Sequence, residues 1–174
     1  MNFDQWLADL LGLKTTEVTK LLEDETALHF LMAWSLFESK CFGGELKSCC
    51  LEDSARRLIK ESFNCAPIWE AAKHFHDRYQ DEALRKRLMQ KEKCCAARMT
   101  DVLKTSFDKL QPVDAAFLVA LVVTRFRNNI FHGTKGIPSW PKYKDQIALC
   151  TGAMQSFVSH QESIKPTLKQ PTGA

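Results

Sequence analysis

Residues 115–123, AAFLVALVV, are the longest apolar run in the chain, and they lead almost directly into the polar stretch RFRNNIFHG at 125–133. A helix that is apolar on nearly every side has to be buried, in a core or in a subunit interface. The run is far short of the roughly 20 residues that span a bilayer. Its polar end is therefore the anomaly: charged groups are rarely placed on a buried helix without a partner or a task.

The remaining sequence fits helices around that element. Only seven glycines and six prolines occur in 174 residues, and alternating β-branched runs are absent, which favours an all-α protein with few connections. The length is that of one domain with a full core. A short helix is expected over 3–12, stopped near Gly12. A second, capped by Thr15 or Thr16, runs through Leu22. Asp24 and Glu25 open an apolar helix to Phe42, ended by Gly43 and Gly44. Residues 46–64 read as an amphipathic helix with Arg56, Arg57 and Lys60 outside. Pro67 starts a long polar helix to about 92, broken once, as a solvated arm or an extra helix on the core. A further helix covers 93–110. The apolar helix then runs from 113 to 131, and a last one from Ser139 or Trp140 to Ile164. A single helical domain over 1–164 and a disordered tail over 165–174 are expected.

Charge is uneven. Residues 1–55 carry 4 Lys/Arg against 10 Asp/Glu, and residues 56–174 carry 20 against 11. The basic part suits phosphates; two solvated faces of opposite sign account for it equally well. Seven cysteines, an odd number with vicinal pairs at 49–50 and 94–95 and no CxxC, favour reduced thiols. A zinc site from His74, His76 and Cys94 or Cys95 would match no usual ligand spacing. The opening MNFDQWLADLLGL is acidic and lacks a small-residue cleavage site, so a cytoplasmic protein without a membrane span is expected.

The chemistry sits in 125–133. At 100° per residue, Asn128 and His132 share a helix face, with Arg125 on nearly the same stripe. Arg127 lies on another, backed by Ala116, Ala120 and Val123, so it points at a close neighbour. Arg127 and His132 stand about 140° apart on a regular helix, so both reach one ligand only if the helix ends between them. Gly133 makes that ending plausible. Histidine moves protons near neutrality, and arginine presents a fork to phosphate oxygens. RNA carries its own nucleophile, the 2′-hydroxyl, so such a pair needs no metal. After His132, Lys135, Lys142 and Lys144 alternate with Trp140 and Tyr143, a mix that holds backbone phosphates and stacks bases. Spacing by itself is weak: with 8 Arg and 5 His in 174 residues, Arg-x4-His arises by chance about 0.2 times.

The fuller pattern says more. Arg127-Asn128-Asn129-Ile130-Phe131-His132, with Gly133 after it and a buried helix before it, resembles the motif of the HEPN family (higher eukaryotes and prokaryotes nucleotide-binding domain). Residues 28–40, LHFLMAWSLFESK, resemble the first core helix of defence-associated members. The resemblance covers about 113–160 and, more weakly, 25–42. It implies an up-and-down helical bundle with extra helices and, in many members, a metal-independent endoribonuclease that leaves 2′,3′-cyclic phosphate ends. The site is often composite across a homodimer, in toxin–antitoxin or antiviral systems, with an antitoxin or defence partner. Arg127 would then stabilise the phosphorane, His132 transfer protons and Asn128 orient the site, without a cofactor. Arg125, Asn129 and Glu38 are supporting candidates. Glu38 lies on the stripe of Trp34 and Leu31, where a carboxylate wants an arginine. Lys135, Trp140, Lys142 and Lys144 are the RNA-binding candidates. His29 is expected in the core or an interface, and His74, His76 and His160 on the surface. The rival readings are a non-catalytic HEPN module that binds RNA or a protein, and a helical interaction domain with no nucleic-acid role.

Overall fold

The computed structural model describes residues 2–44, 46, 49, 51–59, 63–90, 92–131 and 137–164 (of 131 and 137–139, the backbone alone). The described residues form helices joined by short turns, without a strand. The helices are α1 (Phe3–Leu11), α2 (Thr15–Leu22), α3 (Thr26–Phe42), α4 (Leu51–Leu58), α5 (Ala66–Arg78), α6 (Glu82–Met89), α7 (Ala96–Lys104), α8 (Pro112–Phe131) and α9 (Lys144–Ile164). Short 3-10 turns cover Lys93–Cys95, Phe107–Lys109 and Ile137–Tyr143. None of the described helices is long and apolar enough to cross a membrane.

The apolar run makes α8 the axis of the bundle. Every side chain from Ala115 to Val123 is at most 1% exposed. Alanines at 115, 116 and 120 let neighbours approach closely, and α8 meets α3, α4, α5, α7 and α9. Removing one of its larger groups, as in Leu118→Ala, would cost about 2–5 kcal/mol through lost transfer energy and the cavity left behind. Asp114 secures the start of α8. Its carboxylate accepts from the Gln111 backbone N–H at 2.8 Å and pairs with Arg98, whose guanidinium also lies over the Phe117 ring.

A second seam joins α3 to α9, where Phe157 stacks on Phe63 and meets Phe37. Gly43 closes α3 in the left-handed conformation (φ 67°), and Gly44 N–H donates to the Glu38 carbonyl. α1 and α2 pack on each other around Leu7, Ala8 and Val18, a small cluster separate from the main core. The cap of α2 differs from expectation. Thr15 is the first helical residue, and Glu17 reaches back to accept from the Lys14 N–H at 2.8 Å.

The polar stretch after Pro67 is broken once, and of its two expected roles it takes the helix on the core. The chain turns at Tyr79–Asp81, where the Asp81 side chain caps α6 by accepting from Leu84 N–H at 2.9 Å. α5 is not a solvated arm. It buries Ile68, Ala71, Ala72 and Phe75 against α8 and α9. Its charged residues, which dominate the pattern, occupy only the outer face. The expected helix over 93–110 is α7 between two 3-10 turns, and the last helix begins at Lys144, behind a 3-10 segment that contains Pro141. Of the helix expected over 46–64, the described part is α4.

Candidate functional site

At the polar end of α8, Thr124 and Arg127 find partners within the fold, while Arg125 lines a cavity. Thr124 is buried, and its hydroxyl donates to the Ala120 carbonyl at 2.8 Å. Arg125 and Arg127 lie about 200° apart on the helix and so meet different neighbours. Arg127 faces α3. Its Cζ lies 5.4 Å from the centroid of the Trp34 ring, and its Nη1 donates to Asn128 Oδ1 at 3.0 Å. Trp34 is 4% exposed, and its indole N–H donates to Glu38 Oε2 at 3.2 Å. Glu38, one helical turn beyond Trp34, is half-buried.

Four residues therefore form a chain of contacts across α3 and α8: Glu38 fixes the indole, the indole face carries the guanidinium, and Asn128 fixes one of its nitrogens. A guanidinium over an indole is held electrostatically by the ring's negative face. That contact and the Asn128 hydrogen bond restrict the orientation of the guanidinium. Glu38 acts on Arg127 through Trp34, where a direct ion pair was expected. Trp34 itself was read only as a marker of Glu38's stripe. The available signal was its place four residues before a carboxylate on an otherwise apolar helix.

Arg125 and Asn129 sit on the other side of α8, in a cavity shared with α5 and α6. They are not grouped with Arg127. His132 and Lys135 lie outside the described residues.

The segment after 136 is built into the fold more than expected. Lys144 Nζ pairs with Asp24 Oδ2 at 3.2 Å. Trp140 is half-buried and lines a cavity of about 10 Å³ with Leu21, Ala27 and Ile147, so its ring belongs largely to packing. Lys142 is exposed. The Asp24 carboxyl is held below the usual carboxylate range, first by its hydrogen bonds from Thr26 and then by Lys144.

Of the other histidines, His76 departs from the surface position expected of it, and His29 is not in the core. His29 is exposed and pairs with Glu25 at 3.3 Å. His76 is 6% exposed, with Nε2 3.0 Å from the Thr105 carbonyl oxygen, so it ties α5 to the end of α7. His160 is half-buried, edge-on to Phe63. Among the described residues no three His, Cys, Asp or Glu side chains gather as a metal site. No disulfide joins the described cysteines.

Comparison with protein-family models, curated proteins and solved structures gives no match.

Proposed function

We propose that this chain is a metal-independent endoribonuclease of the HEPN kind. In this reading it cleaves single-stranded RNA at a composite site in a homodimer and serves as a toxin or in antiviral defence. The observation that carries the reading is the Arg127 guanidinium, half-buried, seated on Trp34 and fixed by Asn128 near the end of a helix buried from Ala115 to Thr124. An arginine held in this way is poised for a planar anionic partner.

The chemistry follows from the substrate. The 2′-oxygen forms a bond to the adjacent phosphorus while the bond from phosphorus to the 5′-oxygen breaks. His132 takes the 2′-hydroxyl proton or supplies the proton needed by the departing 5′-oxygen. Arg127 neutralises the charge that grows on the non-bridging oxygens. The products are a 2′,3′-cyclic phosphate and a 5′-hydroxyl, with neither water nor metal consumed. Lys135 and Lys142 would hold flanking phosphates, with Lys144 and Trp140 contributing chiefly through the fold.

Dimerisation is supported by α3. Leu28, Met32 and Leu36, spaced four residues apart, are 56%, 61% and 50% exposed. They form an apolar stripe on the helix that carries Trp34 and Glu38. Met32 stands about 160° from Trp34 on the helix, so a twofold contact through that stripe would pair the copies on the face of α3 turned away from Trp34.

The test is cleavage of single-stranded RNA by the purified protein in excess EDTA, with end-group analysis. Cyclic phosphate ends are expected; a strict requirement for magnesium overturns the mechanism. The second reading is a non-catalytic HEPN module that binds RNA or a partner protein. It is favoured by one observation: Trp34, Asn128 and Asp24 engage Arg127 and Lys144 in contacts that could serve structure alone.

A further inference from the structure

On the face of α8 turned away from Trp34, three arginines from three helices line one cavity. Arg78 ends α5, Arg87 lies on α6 and Arg125 on α8, around a space of about 130 Å³ floored by Leu84, Leu88 and Phe126. Among the described residues no Asp or Glu pairs with any of the three, whereas Arg56 pairs with Glu52, and Arg98 with Asp114 and Glu52. The nearest acids in sequence are committed elsewhere: Asp77 to Lys73, Asp81 to the cap of α6, and Glu82 to Lys86. Tyr79, 7% exposed, also lines the cavity.

Arginines that line one cavity with no carboxylate among the described lining residues repel one another, and an anion held between them reverses the sign of that interaction. Arginine forks match tetrahedral oxyanions through paired N–H donors. The space is well below the roughly 300–1,000 Å³ of ordinary small-molecule pockets, which selects a phosphoryl group over a whole cofactor. We propose that the cavity of Arg78, Arg87 and Arg125 is a phosphoryl-binding site, separate from the Arg127 site and independent of whether that site cleaves RNA. The phosphoryl group belongs either to the end of an RNA strand or to a small free phosphate compound.

The experiment uses the full chain at fixed ionic strength, with calorimetric titration and melting-temperature shifts. The probes are inorganic pyrophosphate and a 2′-O-methyl trinucleotide, which cannot be cut, with and without a 5′-phosphate. Pyrophosphate is expected to bind saturably and raise the melting temperature. Arg87→Ala, at an exposed position whose loss does not disturb the core, is expected to weaken binding about tenfold, the effect of one charged hydrogen bond. Arg78→Ala combined with Arg87→Ala should abolish it. Arg56→Ala, whose arginine lies outside the cavity, should leave it unchanged. If the 5′-phosphorylated trinucleotide binds more tightly than pyrophosphate and its 5′-hydroxyl counterpart does not bind, the ligand is a strand end. If pyrophosphate binds and neither trinucleotide does, the ligand is a free phosphate compound. No saturable binding of any probe, or binding unchanged in the Arg87 and double variants, overturns the proposal. Because no probe is a cleavable substrate, either outcome leaves the ribonuclease reading to its own test.

Discussion

The Arg127 guanidinium rests on the buried face of Trp34, 5.4 Å from the ring centroid, although the two residues are far apart in sequence. The contact joins the helix that carries the candidate catalytic motif to the helix that carries the exposed apolar stripe. It makes the orientation of Arg127 depend on α3, and through Trp34 on Glu38.

That dependence separates two effects of substitution. Arg127→Ala removes a partly desolvated cation–π contact and should cost roughly 1–2 kcal/mol of stability. Under the ribonuclease reading it should also lower cleavage by about 10² to 10³, the effect of losing one charged transition-state donor. Trp34→Phe retains an aromatic face but has no N–H for Glu38. Its activity loss should be smaller and should not add to that of Glu38→Ala. Urea unfolding and single-turnover cleavage on the same preparations check this; additive losses would show that Glu38 acts by another route.

Met32 and Leu36 are exposed, so polar replacements there should spare the fold. Met32→Lys combined with Leu36→Glu is expected to leave the melting temperature within a few degrees of the parent while converting a dimer to a monomer in sedimentation velocity. If the parent is already a monomer at micromolar concentration, the stripe has another use.

The Asp24 carboxyl accepts from Thr26 N–H at 2.9 Å and pairs with Lys144, linking the start of α3 to the start of α9. Its folded pKa is depressed, so its stabilising effect is complete above the unfolded value of about 3.9 and is lost as pH falls through the folded value. Asp24→Asn should therefore destabilise the protein at neutral pH. The difference from the parent should begin to close only below about pH 4. Denaturant midpoints from pH 7 to pH 3 give the comparison.

Cys150 is fully buried in α9, and burial pushes its thiol well above the ordinary range. Cys94 is exposed. Maleimide labelling of the native protein at pH 7 should reach Cys94 within minutes and Cys150 only on unfolding, as mapped by peptide mass spectrometry. Early labelling of Cys150 would mean that α9 separates readily from the bundle.

The sequence by itself determined the helical class and the central position of α8. Nine apolar residues in a row have no solvent-facing side in a helix, so the bundle has to close around Ala115–Val123. It also determined the stops at Gly12 and Gly43, where a positive φ favours glycine, and the separation of Arg125 from Arg127 by helical geometry. What each arginine faces was decided by tertiary structure, because that depends on which helix packs against each side of α8. Local pattern predicts the direction of a side chain from its own helix, but not the partner that arrives there. Thus Trp34 under Arg127, Lys144 on Asp24, and Arg78 and Arg87 beside Arg125 join residues distant in sequence. For the charged stretch of α5 and α6 the break was legible, but whether it packs on the core was decided by tertiary structure. Its outer face supplies most of the pattern, while Ile68, Ala72 and Phe75, which hold α5 in the core, are few among the charges.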